Sequence, residues 1–153
     1  MSSVSQLQQA MAALRLSLAE IRHKEEQLDA SIAQFRTQLR RLPRQTIYGR
    51  APLDMALSAM GEIEERLRDA EDNRRRVLTI KQAAEDELAA LESVQQVDEA
   101  RKALARLKQQ TGRQPMSGET EAEIRRLEQF IAIHSKRAEL TITAAFEERQ
   151  NRG

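Results

Sequence analysis

The sequence contains no cysteine and no tryptophan, and aromatic residues make up only 3% of its 153 residues. The lack of cysteine excludes disulfide bonds, cysteine-ligated zinc and thiol catalysis. Because large aromatic side chains supply much of the buried area of globular cores, their scarcity argues against a single spherical core. The composition, 40% hydrophobic and 32% charged, is instead typical of long helices and coiled coils.

The sequence also lacks a long apolar run and a strong net charge. No stretch approaches the roughly 18 uncharged apolar residues of a membrane span, and the first 26 residues have no basic start typical of an export signal. The net charge of +1 gives the whole chain no field that would recruit nucleic acid or an anionic membrane. We therefore expect a cytoplasmic protein for which membrane association is unlikely.

What the sequence does contain is a long stripe of apolar residues with alternating steps of three and four. It consists of Val4, Leu7, Met11, Leu14, Leu18, Ile21, Glu25, Leu28, Ile32, Phe35, Leu39 and Leu42. This spacing is typical of a coiled coil, because it keeps side chains on one narrow line along a helix. It predicts a first helix over residues 3–42, ended by Pro43, since the residue before a proline is pushed out of the helical region.

A second stripe predicts a long helix over residues 52–111, after a tip loop at 43–51. The stripe consists of Ala56, Met60, Ile63, Leu67, Ala70, Arg74, Val77, Lys81, Ala84, Leu88 and Leu91. Its phase then slips, because Leu91, Val94 and Val97 are separated by steps of three. A continuous, bent helix is favoured, since no glycine or proline lies near the slip. The alternative is a break near residues 93–98.

Glycines and a proline at 112–119 predict a second loop, and Thr120 with Glu123 forms a capping box for a last helix over residues 120–149. The apolar surface of that helix is wider than a stripe, which suggests a surface for a helix partner. This surface consists of Phe130, Ile133, Leu140 and Phe146.

These lengths predict an all-α protein with one domain. Its architecture is an elongated antiparallel coiled-coil hairpin, with the third, C-terminal helix packed on the far end of the long central helix. Three helices are expected to overlap around residues 80–91.

The stretch from Ala30 to Leu53 has no acidic residue and five arginines, which predicts a positive tip for the hairpin. One hypothesis is a site that binds anions or a partner, in which arginine forks meet phosphate or carboxylate and the tyrosine stacks. The other is a solvated helix end whose basic residues interact with the helix dipole. The residues concerned are Arg36, Arg40, Arg41, Arg44, Tyr48 and Arg50.

Three charged residues, Glu25, Arg74 and Lys81, interrupt the apolar stripes. Glu25 and Arg74 are expected at similar heights in an antiparallel hairpin, where a cross-helix ion pair would set the register. The alternative is that their long stems lie on the stripe while their charges extend into water.

No pattern for catalysis is present. The two histidines, His23 and His134, lie on different predicted helices, and no glycine-rich phosphate loop or nucleophile motif occurs. The chain is therefore expected to be no enzyme, with no metal, cofactor or small-molecule substrate. The predicted function is a scaffold, adaptor or assembly subunit that self-associates or docks on a protein partner. Nucleic-acid binding through the arginine-rich tip is one alternative, and peripheral membrane association is another.

Overall fold

In the computed structural model, the described residues are 3–112 and 117–151, with side chains described for 5–112, 117–136 and Ala138. Three α-helices cover this part of the chain: α1 (Ser3–Ile47), α2 (Leu53–Thr111) and α3 (Gly118–Asn151). No strand occurs among these residues. The prediction of an all-α helical hairpin with a third helix is confirmed.

The predicted end of the first helix at Leu42 is wrong, because α1 continues through Pro43 to Ile47. Gly49, two residues after Ile47, is what stops the helix, because its φ of 72° is readily available only to glycine. The amide of Gly49 donates to the carbonyl of Thr46 at 3.1 Å, and the amide of Arg50 donates to that of Gln45 at 2.8 Å. These two bonds are those of a Schellman motif, which satisfies carbonyls left open at a helix end. The predicted loop at 43–51 therefore shrinks to a short turn.

The favoured continuous helix through residues 93–98 is confirmed, since α2 has no break there. The phase slip coincides with strong burial, because Leu91, Val94 and Val97 are all buried. Leu7 of α1 and Phe130 of α3 both pack against the cluster that contains Val94 and Val97. Steps of three move the apolar stripe around the helix, so α2 faces two neighbours at this level.

The chain forms two compact units. One unit, Leu16–Glu85, is a hairpin of α1 and α2 around a buried cluster of Leu28, Ile32 and Ala70. Arg22 pairs with Glu85 at 3.9 Å and Arg36 with Glu71 at 3.2 Å. As the residue number rises in α1 it falls in α2, so the two helices are antiparallel.

The other unit comprises Met1–Arg15 and Asp86–Gly153. Its core contains Val94, Val97 and Ala138, with Leu7 and Phe130 packed against them, so all three helices contribute to it. The predicted overlap around residues 80–91 stays a prediction, because the α3 side chains after Ala138 lie outside the described residues. The helix α3 begins two residues earlier than predicted. Ser117 is its cap in place of Thr120, because the Ser117 hydroxyl accepts from the amide of Thr120 at 3.3 Å. The predicted single domain over residues 1–153 stays a prediction.

The apolar stripes agree with the burial pattern. Every described stripe position in α1, from Leu7 to Leu42, is buried or half-buried, and so is every stripe position in α2. The side chains of Val4, Leu140 and Phe146 lie outside the described residues. Burial of these stripes supplies the main stabilisation of the hairpin, at about 25 cal/mol per Å² of apolar area.

Candidate interaction site

The turn between α1 and α2 concentrates exposed apolar side chains. Eight large hydrophobic residues are exposed in the described part of the chain, and five of them lie between residues 47 and 57. Their exposed fractions range from 59% to 79%. They are Ile47, Tyr48, Leu53, Met55 and Leu57. The other three, Leu16, Ile80 and Ile133, are scattered single residues of the kind that ordinary protein surfaces carry.

Three of these five side chains share one face of the hairpin. The ion pair between Arg36 and Glu71 at 3.2 Å marks that face on both helices. Ile47 lies eleven residues after Arg36, about three helical turns. Leu57 and Leu53 lie fourteen and eighteen residues before Glu71, about four and five turns. Whole numbers of turns return a side chain to the same side of its helix, so helical periodicity assigns these three residues to the side that carries Arg36 and Glu71.

Two residues that weaken helices complete this face. Pro43 lies seven residues after Arg36 and within α1, where it cannot donate the usual backbone hydrogen bond. Gly61 follows Leu57 by four residues in α2, and a Cβ built on it would meet nothing within 4 Å. A glycine in a helix interior costs roughly 1 kcal/mol relative to alanine. We call the surface formed by five residues the hairpin-end face: Pro43, Ile47, Leu53, Leu57 and Gly61.

Charges at this end of the hairpin are divided between the two helices. Residues 36–50 carry five arginines and no acidic residue, whereas residues 53–65 carry four acidic residues and no basic one. Of the arginines, Arg36 is paired with Glu71. No ion pair with a described residue involves any of the following: Arg40, Arg41, Arg44, Arg50, Asp54, Glu62, Glu64 and Glu65.

The positive tip expected from the sequence is therefore basic on the α1 side alone. Antiparallel packing places the acidic start of α2 beside the arginines of α1, and residues 36–71 contain seven arginines and six acidic residues. The end of the hairpin has one basic and one acidic edge, with the apolar hairpin-end face between them. Tyr48 is 78% exposed at the turn itself.

The three charged stripe residues lie in two cross-helix ion pairs that differ from the expected pairing. Lys81 donates to Glu25 at 2.9 Å, with both side chains largely covered. Arg74 donates to Asp29 at 2.6 Å rather than to Glu25. That hydrogen bond, followed by the attraction of the Asp29 charge, raises the pKa of Arg74 above its ordinary value. Arginine titrates far above neutral pH, so the guanidinium of Arg74 stays charged throughout the usual range.

The surface expected on α3 is divided in the structure. Phe130 packs against the buried cluster of Val94 and Val97, and its ring lies 4.5 Å from that of His134. Ile133 is 71% exposed. The other two residues predicted for this surface, Leu140 and Phe146, lie outside the described side chains. Phe130 therefore belongs to the core, because α2 and α3 meet where that ring lies.

The described residues contain no group of three histidine, cysteine or acidic side chains placed to hold a metal ion. Within the same part of the chain, no helix combines the length and apolarity that crossing a bilayer requires.

No protein-family model, curated protein or solved structure matches this chain. The chemistry that the hairpin end offers is apolar burial flanked by charges of both signs.

Four apolar residues at this site were not predicted as site residues: Ile47, Leu53, Met55 and Leu57. Part of the signal was present in the sequence, since Ile47, Met55 and Leu57 lie off the three-four stripes and beside a turn. Leu53 lies three residues before Ala56, where it continues the α2 stripe. Their exposure depends on where α1 ends, and the prediction placed that end at Pro43. Once α1 extends to Ile47, the residues on either side of the turn become the exposed ends of two packed helices.

Proposed function

We propose that this chain is a non-enzymatic interaction protein, a helical scaffold, adaptor or assembly subunit that docks through its hairpin-end face. One observation carries the proposal: of the eight exposed large hydrophobic side chains in the described part of the chain, five lie within eleven consecutive residues around one turn. Clustered exposed apolar residues rimmed by polar ones mark interaction surfaces in soluble proteins. A cytoplasmic location and coiled-coil packing of the stripes belong to the same proposal.

The residue types at this end support a protein partner. Tyrosine and arginine are enriched among the residues that dominate binding energy at protein interfaces. The only tyrosine of the chain lies at the turn, between Arg44 and Arg50, neither of which forms an ion pair with a described residue. Burial of Ile47, Leu53 and Leu57 against a partner would remove from water side chains that α1 and α2 leave exposed.

The charge distribution favours protein over nucleic acid as the partner. A phosphate backbone is attracted by a continuous basic surface. Here four acidic residues in 53–65 lie beside the arginines of α1 and would repel phosphate. For a membrane surface the same acidic edge is unfavourable, because anionic lipids attract helices with a basic polar face.

Site-specific photocrosslinking in the native host tests this proposal. A photoreactive amino acid replaces Leu57, and in a matched variant it replaces Ile80, whose exposure is nearly equal at 58% against 59%. We expect discrete protein adducts from position 57 and none from position 80. Equal labelling at the two positions, or none at position 57, would show that the hairpin-end face is not a docking surface. Mass spectrometry of the adduct identifies the partner.

A further inference from the structure

We infer that the partner of the hairpin-end face is a second copy of this chain, an inference that rests on the proposed function. Two hairpin ends pack face to face around a two-fold axis that runs parallel to the helices. The helix α1 of each copy then lies over α2 of the other, and the interface is a four-helix bundle. The argument depends on the backbone at Gly61 and on the unpaired charges at the edges.

Gly61 indicates a close approach that is not made within the described part of the chain. The residue lies inside α2, where alanine would be more stable, and the space around its missing Cβ is open. A glycine on an interface allows another helix to approach the backbone closely. Gly61 follows Leu53 and Leu57 at successive steps of four, so the three residues form a ridge with a low point that a neighbouring helix can cross.

The charges make this face complementary to itself. Arg40 and Arg44 follow Arg36 by four and eight residues, so they line the outer edge of the face on α1. Glu65 lies six residues before Glu71 and forms the outer edge on α2, whereas Glu64, about two turns before Glu71, lies next to it on the face itself. These four side chains make no ion pair with any described residue. A surface with separate basic and acidic edges finds its complement in a rotated copy of itself.

The same charges select one arrangement. A two-fold axis parallel to the helices places the basic edge of α1 against the acidic edge of α2 from the other copy. An axis across the helices places α1 on α1, with arginine against arginine. Like charges held opposite each other disfavour an arrangement, so the first orientation is the one expected. In it, every helix also has antiparallel neighbours, as in up-and-down bundles.

Two charge-reversal variants of the full chain test the inference. One carries Arg40→Glu and Arg44→Glu, and the other carries Glu64→Arg and Glu65→Arg. In a homodimer of either variant, both pairs of facing edges carry like charge. In a heterodimer of the two variants, both pairs of edges are complementary again. We therefore expect the wild type to dimerise with a dissociation constant no weaker than about 100 µM. Each variant alone should be monomeric, and an equimolar mixture should form heterodimers.

Sedimentation velocity measures these states, and circular dichroism verifies that each variant is folded. The matched control for the second variant is Glu20→Arg with Glu26→Arg, which makes the same change in net charge at exposed positions without a described ion pair. This control should remain dimeric. A monomeric wild type, a dimer that persists in either variant, or a mixture that stays monomeric would overturn the inference.

A third variant, Gly61→Leu, tests the close approach. Leucine favours the helix more than glycine does, so the folded monomer should be no less stable. The dissociation constant of the dimer should rise at least about tenfold. Unchanged dimerisation would overturn the packing at Gly61. The photocrosslinked adduct at position 57 separates this inference from the proposed function. An adduct with a different protein and none with a second copy overturns the self-association and leaves the docking role intact.

Discussion

The two ion pairs that cross between α1 and α2 in the middle of the hairpin have different surroundings. The side chains of Lys81 and Glu25 are 26% and 18% exposed, whereas those of Arg74 and Asp29 are 39% and 51% exposed. An exposed pair contributes roughly 0–1 kcal/mol, because water competes with it. A covered pair contributes little net stability but is costly to break, because the remaining charge keeps its desolvation penalty.

We therefore expect Glu25→Ala to destabilise the protein by about 1–2 kcal/mol, because Lys81 loses its partner in a partly covered position. Replacement of both residues by leucine should restore or exceed the original stability, since the two positions continue the apolar stripes. Unfolding in guanidinium chloride measures both effects. The matched control is Asp29→Ala, which should cost less than about 1 kcal/mol. Equal losses in the two alanine variants would mean that burial does not distinguish the pairs.

Two glycines allow one methyl group to be added with opposite expected effects. Gly49 has a φ of 72°, so Gly49→Ala should destabilise the protein by about 1–2 kcal/mol. Gly61 lies in a helix with open space around it, so Gly61→Ala should stabilise the monomer by about 0.5–1 kcal/mol. Thermal unfolding at low protein concentration measures both variants, and each serves as the control for the other. A loss of stability in Gly61→Ala would reveal a close contact in the monomer.

At the level of residues, the sequence predicted burial better than it predicted pairing. Every described stripe position is at least half-buried, because an apolar side chain on the stripe leaves water only by packing against the neighbouring helix. The partner of Arg74 was not predicted, since Asp29 lies beside the stripe rather than on it. Which of two nearby carboxylates an arginine reaches depends on the lateral offset of the helices, which periodicity does not report.

At the level of elements, the long helix was predicted and the end of the first was not. The helix α2 runs unbroken because no residue in its phase slip opposes helical geometry. The predicted end of α1 at Leu42 is wrong because Pro43 lies inside the helix, whereas Gly49 ends it. Proline disfavours the helical conformation of the residue before it but does not forbid it. The left-handed conformation at Gly49, with its two capping hydrogen bonds, ends the helix.

Pro43→Ala should consequently stabilise the protein by about 1–3 kcal/mol without lengthening α1. Alanine restores the amide that proline lacks and removes the clash of the ring with the preceding turn, whereas Gly49 still ends the helix. Denaturant unfolding measures the gain, and far-ultraviolet circular dichroism measures the helix content. Pro52→Ala is the control, because Pro52 precedes α2 and opposes no helical hydrogen bond. A longer α1 in the variant would show that Pro43 contributes to its end after all.

At the level of the whole molecule, charge at the hairpin end depends on both helices. Counting along α1 alone predicted a positive tip, because arginines follow one another without an acidic residue. Folding places the acidic start of α2 at the same end, since antiparallel helices bring residues on either side of a turn together. A count of charged residues along α1 misses the acidic residues that α2 brings to the same end of the hairpin. The net charge of that end follows only when the position of the turn is known.

The two compact units share two helices, and this continuity predicts one cooperative unfolding transition. Both α1 (Ser3–Ile47) and α2 (Leu53–Thr111) run through the unit boundaries without a break. A helix interrupted in its middle loses backbone hydrogen bonds and must form a new end, so unfolding of one unit should carry the other with it. Cooperative loss of both units is the behaviour of a single domain.

Val97→Ala and Ile32→Ala test this in the two cores, since both side chains are buried, at 2% and 6% exposure. Each should destabilise the protein by about 2–4 kcal/mol. Hydrogen exchange monitored by mass spectrometry then reports each unit separately. If unfolding is cooperative, either substitution lowers the protection of the slowest amides in both units by the same amount, because those amides exchange only through global unfolding. Protection that falls only in the unit carrying the substitution would show that the units unfold independently, with the shared helices breaking between them.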